Sequence, residues 1–248
     1  SAGMGISGRA AGFYLNPNIA AQALVMIFAC MMRFETRGGL LLATLIVLIG
    51  LFPTFSRGGF IVWGVLVGLA VWAGKMPRWI ALAGVAGAAV IGMAGEWVFH
   101  ELSALVDPGN QNVLSRLAWI LGAGGGGDYS ALEREGLVWF ALDKFMQAPF
   151  LGHGLGYMWV WDYQVGSHNL MLRHLVEYGA LGVLIFPSFV YCGLRSGWSH
   201  LGWRWSLSMA MVVFILSFFS HNILENGSFM LPWLAICLMP TAESLKKI

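Results

Sequence analysis

Trp79-Ile-Ala-Leu-Ala-Gly-Val-Ala-Gly-Ala-Ala-Val-Ile-Gly-Met-Ala-Gly-Glu-Trp-Val-Phe99 is an apolar run long enough to cross a bilayer as a helix, a task that takes roughly 17–25 residues. It has several counterparts along the chain. The sequence is 58% hydrophobic and only 10% charged, against about 25% charged in a soluble domain. That is too little charge to cover a water-facing surface. The expected class is therefore an all-α polytopic membrane protein.

Working outward from that run, further spans are expected at Ile19–Met32, Gly38–Phe55, Phe60–Ala73, Asn169–Leu194, Trp205–Phe219 and Phe229–Met239. Together these give about seven transmembrane helices. Ser56-Arg57-Gly58-Gly59 interrupts the second and third. Residues 100–167 form a long polar, glycine-rich segment holding seven of the twelve acids. The cysteines, Cys30, Cys192 and Cys237, are scattered in apolar runs without disulfide or metal spacing.

Loop charge orients the spans. Arg33, Arg37, Lys75, Arg78, Arg195, Arg204, Lys246 and Lys247 fall on one side if the spans alternate, and the positive-inside rule makes that side cytoplasmic. Residues 1–18, Ser56–Gly59, the 100–167 segment and Ser220–Gly227 then lie outside. Arg9, Arg57, Arg116, Arg134, Lys144 and Arg173 break the trend. Pairing with outer acids is the simpler account of Arg116 and Lys144. Arg57 is different, because it sits between two apolar spans with glycines beside it. An arginine at membrane depth is costly and is a functional hypothesis by default.

Within the outer segment, Ala131–Gln147 has the pattern of an amphipathic helix. Leu132, Leu137, Phe140, Ala141 and Phe145 are apolar, and Glu133, Arg134, Asp143 and Lys144 polar. A glycine-punctuated turn, Pro149-Phe-Leu-Gly-His-Gly-Leu-Gly156, follows it. Trp159, Trp161 and Tyr163 then match an interfacial aromatic belt. The segment is expected to hold interfacial helices that return the chain to His168.

The stretch Ser167-His-Asn-Leu-Met-Leu-Arg-His-Leu-Val-Glu-Tyr-Gly-Ala-Leu-Gly182 places His168 and Asn169 at the mouth of an apolar helix. At about 100° per residue, Leu172, Leu175, Gly179 and Gly182 share the His168 side. Those glycines predict a surface where another helix comes close. Glu177 falls opposite His168 and needs a partner, for which Arg173 has the favourable i,i+4 spacing.

Four pieces in order carry a family resemblance. His168-Asn169, nine residues, then Gly179-x-x-Gly182 resembles the signature of bacterial O-antigen ligases and related polymerases. Arg9-Ala-Ala-Gly-Phe-Tyr-Leu-Asn-Pro-Asn18 is similar to the family's Arg-x-x-Gly…Asn-Pro-Asn element, and Ser56-Arg-Gly-Gly59 to its Ser-Arg-Gly break. Arg134 through Pro149 to Gly152-x-Gly154-x-Gly156 is similar to its Arg…Pro-x-x-Gly-x-Gly run. Trp139 departs from the pattern by one position. The resemblance spans residues 1–248 and implies the C-terminal part of a member, with 100–167 as its periplasmic loop.

What the resemblance implies is transfer of a glycan from undecaprenyl diphosphate to an acceptor hydroxyl. The transfer inverts the anomeric carbon and occurs on the periplasmic side of a bacterial inner membrane. Such a reaction needs a base for the acceptor proton and a grip on the departing diphosphate. His168 suits the first task, since histidine is mostly neutral at external pH. Arg9, Arg57 and Arg134 suit the second, because guanidinium stays charged and forks onto phosphate oxygens. Asn169, Asn18, His221 and Asn222 are the candidate substrate-binding residues.

No paired-carboxylate motif or His-Glu-x-x-His helix occurs, so a mechanism without metal or cofactor is expected. The expected partners are the lipid-linked donor, a lipid A-core, protein or glycan acceptor, and the bilayer; nucleic acid is not among them. Two alternatives stay open. One is a polymerase of the same chemistry, and the other an anion transporter with arginines along its path, although no internal repeat supports a transporter.

Overall fold

The computed structural model describes residues 4–5, 9–14, 16–34, 36–106, 111–123, 129–162, 169–220 and 223–238. It is mostly helical, as the composition requires. Three stretches, Arg37–Thr54, Trp79–Ser103 and Leu170–Arg195, are long and apolar enough to cross a membrane. Pro17–Met32, Arg57–Trp72 and Trp203–Ser217 are shorter apolar helices. These features point to a membrane protein. The chain divides into two compact units, Ser1–Asp128 and Tyr129–Ile248, so the boundary falls inside the 100–167 segment.

The first unit opens with a two-residue antiparallel pairing of β1 (Met4–Gly5) with β2 (Arg9–Ala10). Helices α1 (Pro17–Phe34), α2 (Arg37–Leu51) and α3 (Arg57–Trp72) pack against one another. In lipid this packing cannot draw on water exclusion, so close fit matters more. Small residues supply the fit: Ala20, Ala21, Ala23 and Ala29 of α1 are all buried. A Cβ on Gly59 of α3 would come within 2.9 Å of Ala21 Cβ and of Leu51 Cδ2.

Helix α4 (Trp79–Ser103) packs on α5 (Gln111–Leu121), where a Cβ on Gly95 would meet the Leu121 carbonyl oxygen at 1.7 Å. Gly95 is the one buried residue of α4, so the rest of that helix presents apolar side chains outward.

The second unit comprises α6 (Tyr129–Gln147), α7 (Leu170–Tyr178), α8 (Gly182–Leu201), α9 (Trp203–Ser217) and α10 (Gly227–Leu238). Helix α6 is amphipathic as its pattern predicts. Leu137 and Ala141 are buried with Met158, Trp161, Leu172 and Val176 in one cluster. The aromatic belt divides: Trp159 is exposed, but Trp161 belongs to that core, edge-on to Phe140 at 5.2 Å. Trp233 of α10 stacks on Phe189 of α8 and fills the space beside Gly193, where a Cβ would lie 1.9 Å from its ring.

One expectation needs correction. The span from Asn169 to Leu194 is not a continuous helix. It breaks at Gly179, whose φ of +61° and ψ of −144° no helix contains, and a 3-10 turn at Gly179–Leu181 leads into α8. Helices α7 and α8 consequently pack against each other, and a Cβ on Gly182 would lie 2.0 Å from the His174 carbonyl oxygen. The glycines do permit close approach. What approaches is backbone from a loop and from α7 itself.

Candidate functional site

In the first unit the candidate residues gather at the break between α2 and α3. Helix α2 ends in a 3-10 turn at Phe52–Thr54, favoured by Pro53 near its start. Phe55 then takes a left-handed φ of 45°, and the Ser56 side chain caps α3 by accepting from Gly59 N at 3.4 Å. Thr54 Oγ1 donates to the Leu51 carbonyl at 2.7 Å and accepts from Ser56 N at 3.2 Å. The turn thus places the carbonyls of buried Thr54 and half-buried Phe55 between α2 and α3, where such oxygens need donors.

Arginines supply them. Arg9 Nε donates to the Thr54 carbonyl at 2.8 Å, and its Nη2 to Asn18 Oδ1 at 2.8 Å. Arg116 Nη1, from α5, donates to the Phe55 carbonyl at 3.0 Å. Both side chains are buried. The Arg57 guanidinium lies 5.4 Å from the Trp119 ring centroid, in cation–π contact. Trp119 sits one helical turn beyond Arg116, so a single face of α5 touches both Phe55 and Arg57. Three guanidinium groups are therefore concentrated at one helix break.

Of the residues expected from sequence in this unit, Arg9, Asn18 and Arg57 come together here, with Arg9 and Asn18 in direct contact. Arg116 and Trp119 were not anticipated. Arg116 gave a signal, being one of the basic residues that loop charge does not explain. Arg116→Ala is expected to cost about 1.5–3 kcal/mol, because the half-buried Phe55 carbonyl loses a charged donor. An unchanged thermal unfolding midpoint in micelles would mean that α5 does not hold the break.

In the second unit the side chain of Arg134, and residues His168, His221 and Asn222, lie outside the described residues. Asn169 is the N-cap of α7; its Oδ1 accepts from Met171 N at 2.9 Å and Leu172 N at 3.2 Å. The other end of α7 is held by the Pro149–Gly154 loop. His153 N donates to the Val176 carbonyl and Gly154 N to the Glu177 carbonyl, each at 2.9 Å, and Ala180 N donates to the Pro149 carbonyl at 2.7 Å. The first two bonds satisfy carbonyls that the end of α7 leaves open.

The fit depends on glycine on both sides. At Gly152 a Cβ would come 2.4 Å from the Glu177 carbonyl carbon, and at Gly179 it would come 2.5 Å from that of Phe150. His153 Nε2 donates to the Lys144 carbonyl at 2.8 Å and its ring stacks on Tyr157. Lys144 lies 3.8 Å from Asp162, the acid pairing expected for it.

Beside this joint, Arg173 Nε meets Glu177 Oε1 at 3.3 Å, the i,i+4 pair legible in the sequence, and Arg173 Nη1 also donates to Glu225. The guanidinium lies 5.8 Å from the Trp159 ring. Glu177 is 1% exposed and Glu225 about half exposed. One cation thus bridges two carboxylates from separate elements. Among the described residues no cluster of three or more His, Cys, Asp or Glu side chains is placed to hold a metal.

Comparison of the sequence with protein-family models and with curated proteins finds no significant match.

Proposed function

We propose that the chain is the C-terminal part of an O-antigen ligase-like membrane glycosyltransferase. It moves a glycan from undecaprenyl diphosphate to an acceptor hydroxyl on the periplasmic side of a bacterial inner membrane. In this reading about seven spans cross the bilayer, and 100–167 is an outer loop. One observation carries it: within each unit, motif residues distant in sequence are hydrogen-bonded at one place. Arg9 bonds Asn18 and the turn before Ser56-Arg-Gly, and the Gly-x-Gly loop bonds the Gly179 joint. Motifs far apart in sequence that touch are better explained as parts of one working assembly than as coincidences.

The chemistry divides among the residues as follows. His168 takes the proton of the acceptor hydroxyl as its oxygen attacks the anomeric carbon. Arg9, Arg57 and Arg134 neutralise the diphosphate as the bond to the sugar breaks. Asn18, Asn169, His221 and Asn222 position donor and acceptor. Asn169 has its Oδ1 committed to the helix cap, so it orients what precedes the helix.

The test is transfer from a labelled undecaprenyl-diphosphate glycan to lipid A-core, with the full protein in vesicles. Arg57→Ala is expected to lower turnover about 10²–10³-fold and His168→Ala about 10²–10⁴-fold. Activity in the unaltered protein should also fall as pH drops through the histidine range, because a protonated base cannot accept the acceptor's proton. Normal transfer by both variants would overturn the assignment. Transfer to a second lipid-linked glycan, and not to lipid A-core, would make the protein a polymerase.

A further inference from the structure

At the end of the first unit away from the α2–α3 break, the start of α2, the end of α3 and the start of α4 line an open cleft of about 670 Å³. Its walls are apolar, with Trp72, Met76, Ala81 and Leu82 among them, and two guanidinium groups, Arg37 and Arg78, stand at its edge. Arg37 Nη2 makes one long bond, 3.4 Å, to the Gly74 carbonyl. Among the described residues the Arg78 guanidinium makes no hydrogen bond, its carbonyl accepting from Ala81 N and Leu82 N at the start of α4, and neither arginine has an ion pair. The neighbouring Lys75 is committed elsewhere: its Nζ donates to the Met32 carbonyl at the end of α1 at 2.6 Å. The cleft therefore offers two cationic forks above an apolar wall, at the ends of two stretches that can span a bilayer.

We propose that this cleft binds the headgroup of an anionic phospholipid, with an acyl chain continuing along the exposed face of α4. Charge decides the headgroup class. Two exposed guanidinium groups side by side favour an anion, and a zwitterionic headgroup brings its own cation into the site. The apolar wall decides for a lipid over a soluble phosphate. Leu82, Val85, Val90 and Met93 of α4 are each more than 60% exposed and extend that wall away from the arginines. The inference requires a membrane but is independent of glycan transfer.

Native mass spectrometry of the full protein, released from nanodiscs of phosphatidylglycerol and phosphatidylcholine, tests it. Preferential retention of phosphatidylglycerol is expected. Combining Arg37→Ala with Arg78→Ala lowers that preference about 25-fold, or about five-fold for each charge at ~1 kcal/mol. Ala81→Trp fills the cleft, leaves both arginines, and reduces retention of phosphatidylglycerol; it decides the matter alone if the double variant does not fold. Three results overturn the proposal: equal retention of the two lipids, a preference that survives in the variants, or displacement of the lipid by inorganic phosphate.

Discussion

Arg173→Ala is expected to destabilise the second unit by about 3–5 kcal/mol, the cost of leaving a buried carboxylate without its cation. Glu177 is 1% exposed, so water cannot replace the guanidinium. Glu225, about half exposed, can rehydrate and adds little to the loss. The decisive comparison is a double variant. Arg173→Met with Glu177→Leu removes both charges and keeps most of the volume, and such replacements of buried pairs are often neutral or stabilising. The single variant should therefore be far less stable than the double when unfolding is followed in mixed micelles. Equal losses would mean that packing, and not charge, holds α7 at this point.

Gly179→Ala is the second large effect. The backbone there, φ +61° and ψ −144°, belongs to a region essentially reserved for glycine, and occupying it with a side chain costs about 1–3 kcal/mol. The new Cβ would also lie 2.5 Å from the Phe150 carbonyl carbon and 2.6 Å from Gly152 N, which forces the loop away from the end of α7. Overpacking of that kind costs about 1–3 kcal/mol more, for a total of roughly 2–6 kcal/mol. Gly152→Ala meets the same joint from the other side and should behave alike. Combining the two should cost less than the sum, because either one alone opens the contact. Wild-type unfolding of Gly179→Ala would show that the joint is slack.

The apolar helices of the first unit were legible because apolar run length survives without any knowledge of packing, and three stretches of the chain are long enough to cross a membrane. Helices α1 to α4 begin and end within a few residues of the expected limits, and the interruption at Ser56 is a true helix break. The Arg173–Glu177 pair and the amphipathic α6 were legible for a related reason, since both follow from helical spacing alone. Helix α5 was not expected, because it is a short helix inside a polar segment, next to the Gly124–Gly127 run. Its role depends on Arg116 and Trp119 reaching residues some sixty positions away, which no local pattern records.

The break at Gly179 was hidden for the opposite reason. Apolar residues continue across it, and a glycine inside an apolar run reads equally as helix interior or as helix end. The deciding partner, the Pro149–Gly154 backbone, is distant in sequence. Of the candidate site, Arg9 and Arg57 were legible as basic residues that loop charge does not explain, and Asn18 through the family resemblance. What they touch was not. The carbonyls of Thr54 and Phe55 become acceptors only once the turn has formed.

Helix α7 is tied at both ends, by Asn169 at its start and by the loop amides at its close. Such a segment works as a ruler. Its nine residues measure about 13 Å at 1.5 Å of rise each, and neither end can fray to lengthen or shorten that distance. Deleting one residue within it would draw Asn169 about 1.5 Å toward the loop and swing it through about 100°. Anything seated above Asn169 is thereby gauged from the Gly152–Gly179 joint, and changes of length inside α7 should be tolerated far less well than changes of side chain.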